Sequence, residues 1–421
     1  MKRYSEYKDS GVKWIGEIPG HWKSVPFRRI AKVQCNLVHP FDNLEMLQIS
    51  PDSIEKDSGK IIKIKTVAEA NIDSDNHRFY KGQILYSKIR PLLNKVTIAP
   101  DDGLCSADMY PISTEEKTEF IKYYMLSKAF LSSVKNIVAD RVKMPKINQD
   151  ELKETRFVIP PLPEQEAIVT YLDTKVAKID EYISIAEKKI AALEELKQTI
   201  IAEAVTRGIH KDVPMKDSGV KWIGMIPEHW KIRKMKFVFK ERSEKGYPNE
   251  PVLSATQSNG VIPQSMYENR VVVVNKGFEN LKLVCKGDFV ISLRSFQGGI
   301  EYAYYRGIIS AAYTILTKSA EFLNEGYVKN LFKSHPFVQL LKTCVTGIRE
   351  GQNINYSLLR DKYIPVPPLA EQQEIVTYIE AKVANINQLC QAERSQIEKL
   401  KEYKQRLISD VVTGKVKVTN D

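Results

Sequence analysis

The sequence predicts an α+β chain of two similar α/β-mixed modules. An antiparallel coiled coil of two long helices separates them, and a pseudo-two-fold internal duplication relates them. Three observations carry this expectation: a repeated opening motif, a repeated helix-leading motif at nearly the same offset, and two uninterrupted heptad runs. KDSGVKWIGEIPGHW at Lys8–Trp22 returns as KDSGVKWIGMIPEHW at Lys216–Trp230, with thirteen of fifteen positions identical. PPLPEQEAIVTYL at Pro160–Leu172 returns as PPLAEQQEIVTYI at Pro367–Ile379, with nine of thirteen identical. Offsets of 208 and 207 residues divide the 421-residue chain into two nearly equal parts. The expected segments are 1–158 (first module), 159–210 (first long helix), 211–365 (second module) and 366–421 (second long helix).

In the opening motif, Trp14 and Trp22 are matched by Trp222 and Trp230. An exposed aromatic can stack on a base, but a Trp-Ile-Gly and Ile-Pro pattern reads as a rigid segment folded against its own domain. His21 and His229 have no carboxylate or Cys at ligand spacing nearby in sequence and read as structural.

The second motif leads a helix. Pro160, Pro161 and Pro163 stand before or within its first turn, where proline is tolerated, and Glu164 and Glu166 suit the positive end of the helix dipole. A seam with alternating three- and four-residue spacing follows: Val169, Leu172, Val176, Ile179, Ile183, Ala186, Ile190, Leu193, Lys197, Ile200, Ala204. The second copy repeats it as Val376, Ile379, Val383, Ile386, Cys390, Glu393, Ile397, Leu400, Lys404, Leu407, Val411. Each helix is expected to run about 40 residues, roughly 60 Å. Lys197 and Lys404 occupy equivalent seam positions. A polar seam residue can fix register, and a lysine there can equally snorkel to solvent. The second opening motif begins about ten residues after the first helix, so the second helix must return along the first, antiparallel to it.

Between the matched ends the two copies diverge, as expected of one fold carrying two different surfaces. Charge follows the modules: residues 1–158 carry +5, 159–210 carry −3, 211–365 carry +9 and 366–421 carry 0. Two basic blocks fit a polyanion held at two places. The candidate DNA contacts lie in two regions of each module. In the first they are Lys88, Arg90, Asn94 and Lys95, then Arg141, Lys143 and Lys146. In the second they are Arg294, Ser295 and Gln297, then Arg349, Gln352 and Asn353. These are residue types that read base edges or hold phosphates, and each can also be ordinary solvated surface.

Taken together, the matched KDSGVxWIGxIPxHW segments, the PPLxEQxxIVxYL segment before each long helix and the half-length duplication resemble the specificity subunits of type I restriction–modification systems. The resemblance covers essentially the whole chain. It implies that each module is a target-recognition domain reading one part of a split, asymmetric site in double-stranded DNA. It further implies that the helices bind two modification subunits, which methylate adenine with S-adenosylmethionine. Two restriction subunits, translocases and nucleases using ATP and Mg, would join them.

Chemistry within the chain is not expected. No GxxxxGK[ST] loop, GxSxG, HExxH or Cys-His zinc pattern occurs, and both Pro-Pro pairs are followed by Leu rather than an aromatic. No cofactor or metal is expected in this chain, nor a membrane span. The five scattered cysteines suggest neither a disulfide framework nor a zinc site, and a reducing cytoplasm fits them. A methyltransferase or nuclease with unrecognised motifs, and a coiled-coil scaffold without a DNA role, are the competing readings.

Overall fold

The computed structural model describes residues 2–141, 143–267, 277–347 and 353–418. It contains two compact units, Met1–Glu187 with Arg394–Asp421 and Lys188–Glu393, each holding one module and half of each long helix.

The same construction appears in both units. Each opening motif folds as an antiparallel pair, Tyr7–Asp9 with Glu17–Pro19 and Met215–Asp217 with Met225–Pro227. Gly16 and Gly224 precede the return strand at φ +71, a conformation that glycine adopts without strain. The chain then forms a strand that pairs with the residues just ahead of the PPL segment. Lys23–Pro26 pairs with Arg156–Ile159 in the first unit, and Lys231–Lys234 pairs with Tyr363–Val366 in the second. A four-stranded antiparallel sheet follows with one order in both copies. In the first unit it runs Val96–Ile98, Ile84–Ser87, Met109–Thr114, Ala31–Val33; in the second, Glu301–Tyr302, Phe289–Ile291, Thr314–Lys318, Phe239–Arg242.

Two short helices cover this sheet in each unit: α1 (Thr118–Leu126) and α2 (Lys128–Ile137) in the first, with α3 (Gln149–Glu154) leading back to the PPL strand. The first long helix is α4 (Leu162–Arg207). In the second unit the corresponding helices are α5 (Glu325–Lys333), α6 (His335–Lys342) and α7 (Tyr356–Leu359), and the second long helix is α8 (Leu369–Val412). Phe27, Tyr86, Phe120, Tyr124, Phe130 and Phe157 fill the first core, and Phe239, Phe289, Tyr327, Phe332 and Phe337 the second. Each large apolar side chain buried in this way contributes roughly 1.5–3 kcal/mol.

The modules differ beyond this frame. The first adds a five-stranded mixed sheet in the order Leu37–Val38, Asn76–Phe79, Gly103–Cys105, Leu47–Ile49, Lys65–Thr66. The second instead has a hairpin, Leu253–Thr256 with Gly260–Pro263, and an antiparallel pair, Lys282–Val284 with Gly307–Ile309, linked by a bridge between Val252 and Ile308.

Helix pairing is antiparallel. In the second unit Lys189 pairs with Glu393 while Lys197 Nζ reaches Asn387 Oδ1 at 3.3 Å, so one number rises as the other falls. Its seam residues Val376, Ile379, Ile386 and Cys390 are buried, and Ile190, Leu193, Ile200 and Val383 are half-buried. In the first unit Val169, Leu172, Ile179, Ile397 and Leu407 are buried, with Val176, Ile183 and Leu400 half-buried. The seam lysines both bind across the pair. Lys404 is 8% exposed and donates to Asp180 Oδ1 at 2.6 Å. Asp180 and Asn387 are themselves equivalent positions, 207 apart, so each lysine fixes the same register in its own unit.

Among the described residues, no helix is long and apolar enough to cross a membrane. No group of three or more His, Cys, Asp or Glu is gathered for a metal ion among them either.

Candidate nucleic-acid interface

In the first unit the two basic regions, some fifty residues apart in sequence, form one surface. The strand Ile84–Ser87 ends in a loop whose backbone is sewn to the segment before α3. Arg90 N donates to Pro145 O at 2.8 Å, Ile147 N donates to Lys88 O at 3.0 Å, and Ile89 and Lys146 form an isolated bridge. Arg90 itself sits at φ +44 with its side chain exposed, and the exposed Lys143 and Lys146 lie in the adjoining segment. Lys88 is half-buried, with Nζ 5.2 Å from the centre of the Tyr110 ring. Burial pushes the Tyr110 phenol up to about 12, so it remains a neutral ring beneath the ammonium.

Lys146 Nζ donates to Asp108 Oδ1 at 3.1 Å. Arg141 is committed to Glu151, whose carboxyl it holds below the usual range, and also donates to the Lys146 carbonyl. Arg141 therefore works first as a brace for the loop.

Three expected contacts are corrected by burial. Asn94 is fully buried at φ +47, and its amide donates to Leu126 O at 3.1 Å; it is a turn residue anchored to the end of α1. Lys95 turns inward, with Nζ donating to Pro51 O at 2.7 Å. Ser295 is 2% exposed, and its Oγ accepts from Ser292 N at 2.9 Å, closing a turn. Each satisfies a backbone group that burial would otherwise strand, close by in sequence for Ser295 and distant for Asn94 and Lys95.

In the second unit Gln297 is exposed on the one-turn helix Ser295–Gly298, with the exposed Arg294 as its N-cap, and this helix packs beside the strand Asn353–Ile354, where Asn353 is exposed. The two regions thus meet here too. Gln297 lines a cleft of about 740 Å³ that also includes Glu195 and Glu203 of α4. Those carboxylates oppose a phosphate at that spot. Arg349 and Gln352 lie outside the described residues.

The two repeated motifs are joined by a physical link that their sequences alone do not reveal. Glu164 of PPLPEQ accepts from Trp22 Nε1 at 2.9 Å and from Tyr4 OH at 3.1 Å, and pairs with His21. Glu371 of PPLAEQ accepts from Trp230 Nε1 at 3.0 Å and pairs with His229 at 2.7 Å. The following Gln165 and Gln372 bind back to Pro160 O at 3.0 Å and Pro367 O at 2.8 Å. The two histidines are structural in this sense, but each has the carboxylate that sequence proximity did not supply. The C-terminal glycine of a long helix completes each node. Gly208 (φ +79) packs against Trp230 and Glu371, and Gly414 (φ +74) packs against Pro19 and Trp22. The repeated motifs are therefore the two sides of one joint that fastens each module to the helices.

Comparison with known proteins fits this duplicated frame. The family model for the type I restriction modification DNA specificity domain matches twice, at residues 45–195 and 227–399. The type I restriction enzyme EcoDI specificity subunit of Escherichia coli is 39% identical over 192 residues, 46% of this chain and 43% of that subunit, so the match spans under half of this relative. The putative type I restriction enzyme MjaX specificity subunit of Methanocaldococcus jannaschii is 26% identical over 98% of both chains. A solved chain from a study of complex assembly and conformational transition in the type I R-M system shares the fold at a TM-score of 0.69 and 17% identity, covering 94% of this chain and 98% of that one. The HsdS subunit from Thermoanaerobacter tengcongensis does so at 0.50 and 18%, covering 95% and 98%. This chain belongs to the type I restriction–modification DNA specificity family, whose domain it carries twice.

Proposed function

We propose that the chain is the sequence-reading, non-catalytic part of a type I restriction–modification complex. Each unit reads one part of a divided, asymmetric site in double-stranded DNA, and the long helices set the interval between the two parts. The single observation that carries this reading is the duplicated specificity domain, with one frame bearing two different surfaces. In the first unit Arg90, Lys143 and Lys146, with Lys88 behind them, supply cations for phosphates and base edges; in the second, Arg294 supplies a cation and Asn353 a neutral carboxamide. Arg349 and Gln352 remain proposed contacts from sequence. Two modification subunits, bringing S-adenosylmethionine, and two restriction subunits, using ATP and Mg, assemble on this chain in a cytoplasmic complex.

The experiment is methylome sequencing of cells carrying this chain with its modification subunits. The expected result is adenine methylation at one motif of two specified parts separated by an unspecified spacer. Methylation at a single continuous motif, or at none, overturns the reading.

A further inference from the structure

We infer that Gln149 is a specificity-determining residue of the first unit, presenting its carboxamide to a base edge beside Lys88 and Lys146; the inference rests on the DNA-reading function proposed above. Gln149 opens α3, directly after the segment sewn to the Lys88–Arg90 loop. Its Nε2 donates to Cys35 Sγ at 3.3 Å. A thiol is a weak acceptor, and burial pushes this one up, keeping it neutral. Exchanging that contact for a base therefore costs little.

The backbone around Gln149 is rigid. Asn148 and Glu151 form a reciprocal capping box, with Glu151 N donating to Asn148 Oδ1 at 2.8 Å and Asn148 N donating to Glu151 Oε2 at 2.9 Å. Arg141 holds Glu151 from outside. Ile147 and Leu152, both 0% exposed, anchor the segment from inside. A loosely held carboxamide on a firmly held backbone, beside exposed cations, suits base readout.

The second unit repeats the frame. Ile354 and Leu359 are the buried anchors there, and Asn355 caps α7 by accepting from Ser357 N at 2.9 Å. Beside and between these shared anchors the side chains differ: Lys146 against Asn353 just before them, and Gln149 against Tyr356 between them. Tyr356 packs against the core of its own unit, so this position offers a polar side chain for readout in the first unit and serves packing in the second. A carboxamide offers a donor and an acceptor side by side, the complement of adenine N7 and N6 in the major groove, so the ligand edge assigned to Gln149 is that of an A·T pair.

The test uses the full chain assembled with its modification subunits, carrying Gln149→Ala, Gln149→Glu or Cys35→Ser. Readouts are methylome sequencing and binding to duplexes substituted one base pair at a time. Both Gln149 variants are expected to lose about ten- to a hundred-fold discrimination at one base pair of one half-site, while the other half-site is kept and thereby reports a folded complex. Cys35→Ser is expected to leave the motif unchanged. An unchanged motif in both Gln149 variants overturns the inference, as does loss of both half-sites in both, which marks the residue as structural. If replacing the entire first module leaves the motif intact, the failure belongs to the proposed function instead.

Discussion

Replacing Glu371 tests the joint between module and helix directly. The carboxylate is 9% exposed and accepts from Trp230 Nε1, whose side chain is 0% exposed. Alanine leaves that indole N–H buried without an acceptor, at about 1–3 kcal/mol. The hydrogen bond with His229 adds little, because the imidazole is half-exposed and water replaces the carboxylate. The expected loss is therefore about 2 kcal/mol. For a unit of about 200 residues, where 1 kcal/mol moves Tm by about 2–4 °C, this lowers the transition of the second unit by about 4–8 °C. Glu371→Gln keeps an oxygen facing the indole and should cost under about 1 kcal/mol. Differential scanning calorimetry on the two variants decides the matter. An alanine variant melting within about 1 °C of the parent, or a glutamine variant worse than alanine, refutes the reasoning.

The remaining predictions concern the same joints and braces. Gly208→Ala and Gly414→Ala both force a side chain onto positive φ, at about 1–2 kcal/mol. The added Cβ would stand 3.2 Å from Glu371 Oε1 and the Trp230 ring in the first case but 2.3 Å from Pro19 Cδ in the second, so urea titration should show the larger loss for Gly414→Ala. Asp180→Ala strands the nearly buried Lys404 ammonium and should destabilise by more than Lys404→Met, which replaces a buried charge by an apolar chain of similar length; equal losses in urea titration would argue against a register-setting pair. The Arg141 brace depresses the Glu151 carboxyl. Its stabilisation is thus present above the ordinary carboxylate value and disappears as pH falls through the lowered one. Amide-exchange protection around Asn148–Glu151 should drop in that acid window, and Arg141→Ala should weaken the pH dependence, leaving the part that the Asn148 backbone N–H holds.

Much of this architecture is legible in the sequence, and the reasons are local. The heptads of α4 and α8 contain neither glycine nor a proline beyond the first turn, so their period dictates long helices, and the start of the second opening motif just after α4 makes them antiparallel. The duplication was visible because the joint needs Trp, His, Glu and Gln together, and neither copy can drift without the other side of the contact. Within the modules, the two basic regions come together in space, but several of their residues do not face outward. Asn94 and Lys95 look like a polar loop in sequence, yet both point inward to satisfy the carbonyls of Leu126 and Pro51, which belong to distant elements. Nothing in a sequence period reports such a partner. Gln149 was passed over for the opposite reason: a helix-opening position reads as a cap, and only the apposed loop places it beside Lys88.

The seat of Gly414 on Trp22 has a consequence for synthesis. The first unit incorporates residues 394–418, including the bridge of Lys417 to Lys2 and the bond from Tyr7 OH to Gly414 O at 3.0 Å. The ribosome must therefore make the whole of Lys188–Glu393 before the earlier-born unit can close. At about 5–20 residues per second that interval is roughly 10–40 s. During it the nascent amino-terminal module lacks its returning helix, and the later-made unit is the first to have all of its parts.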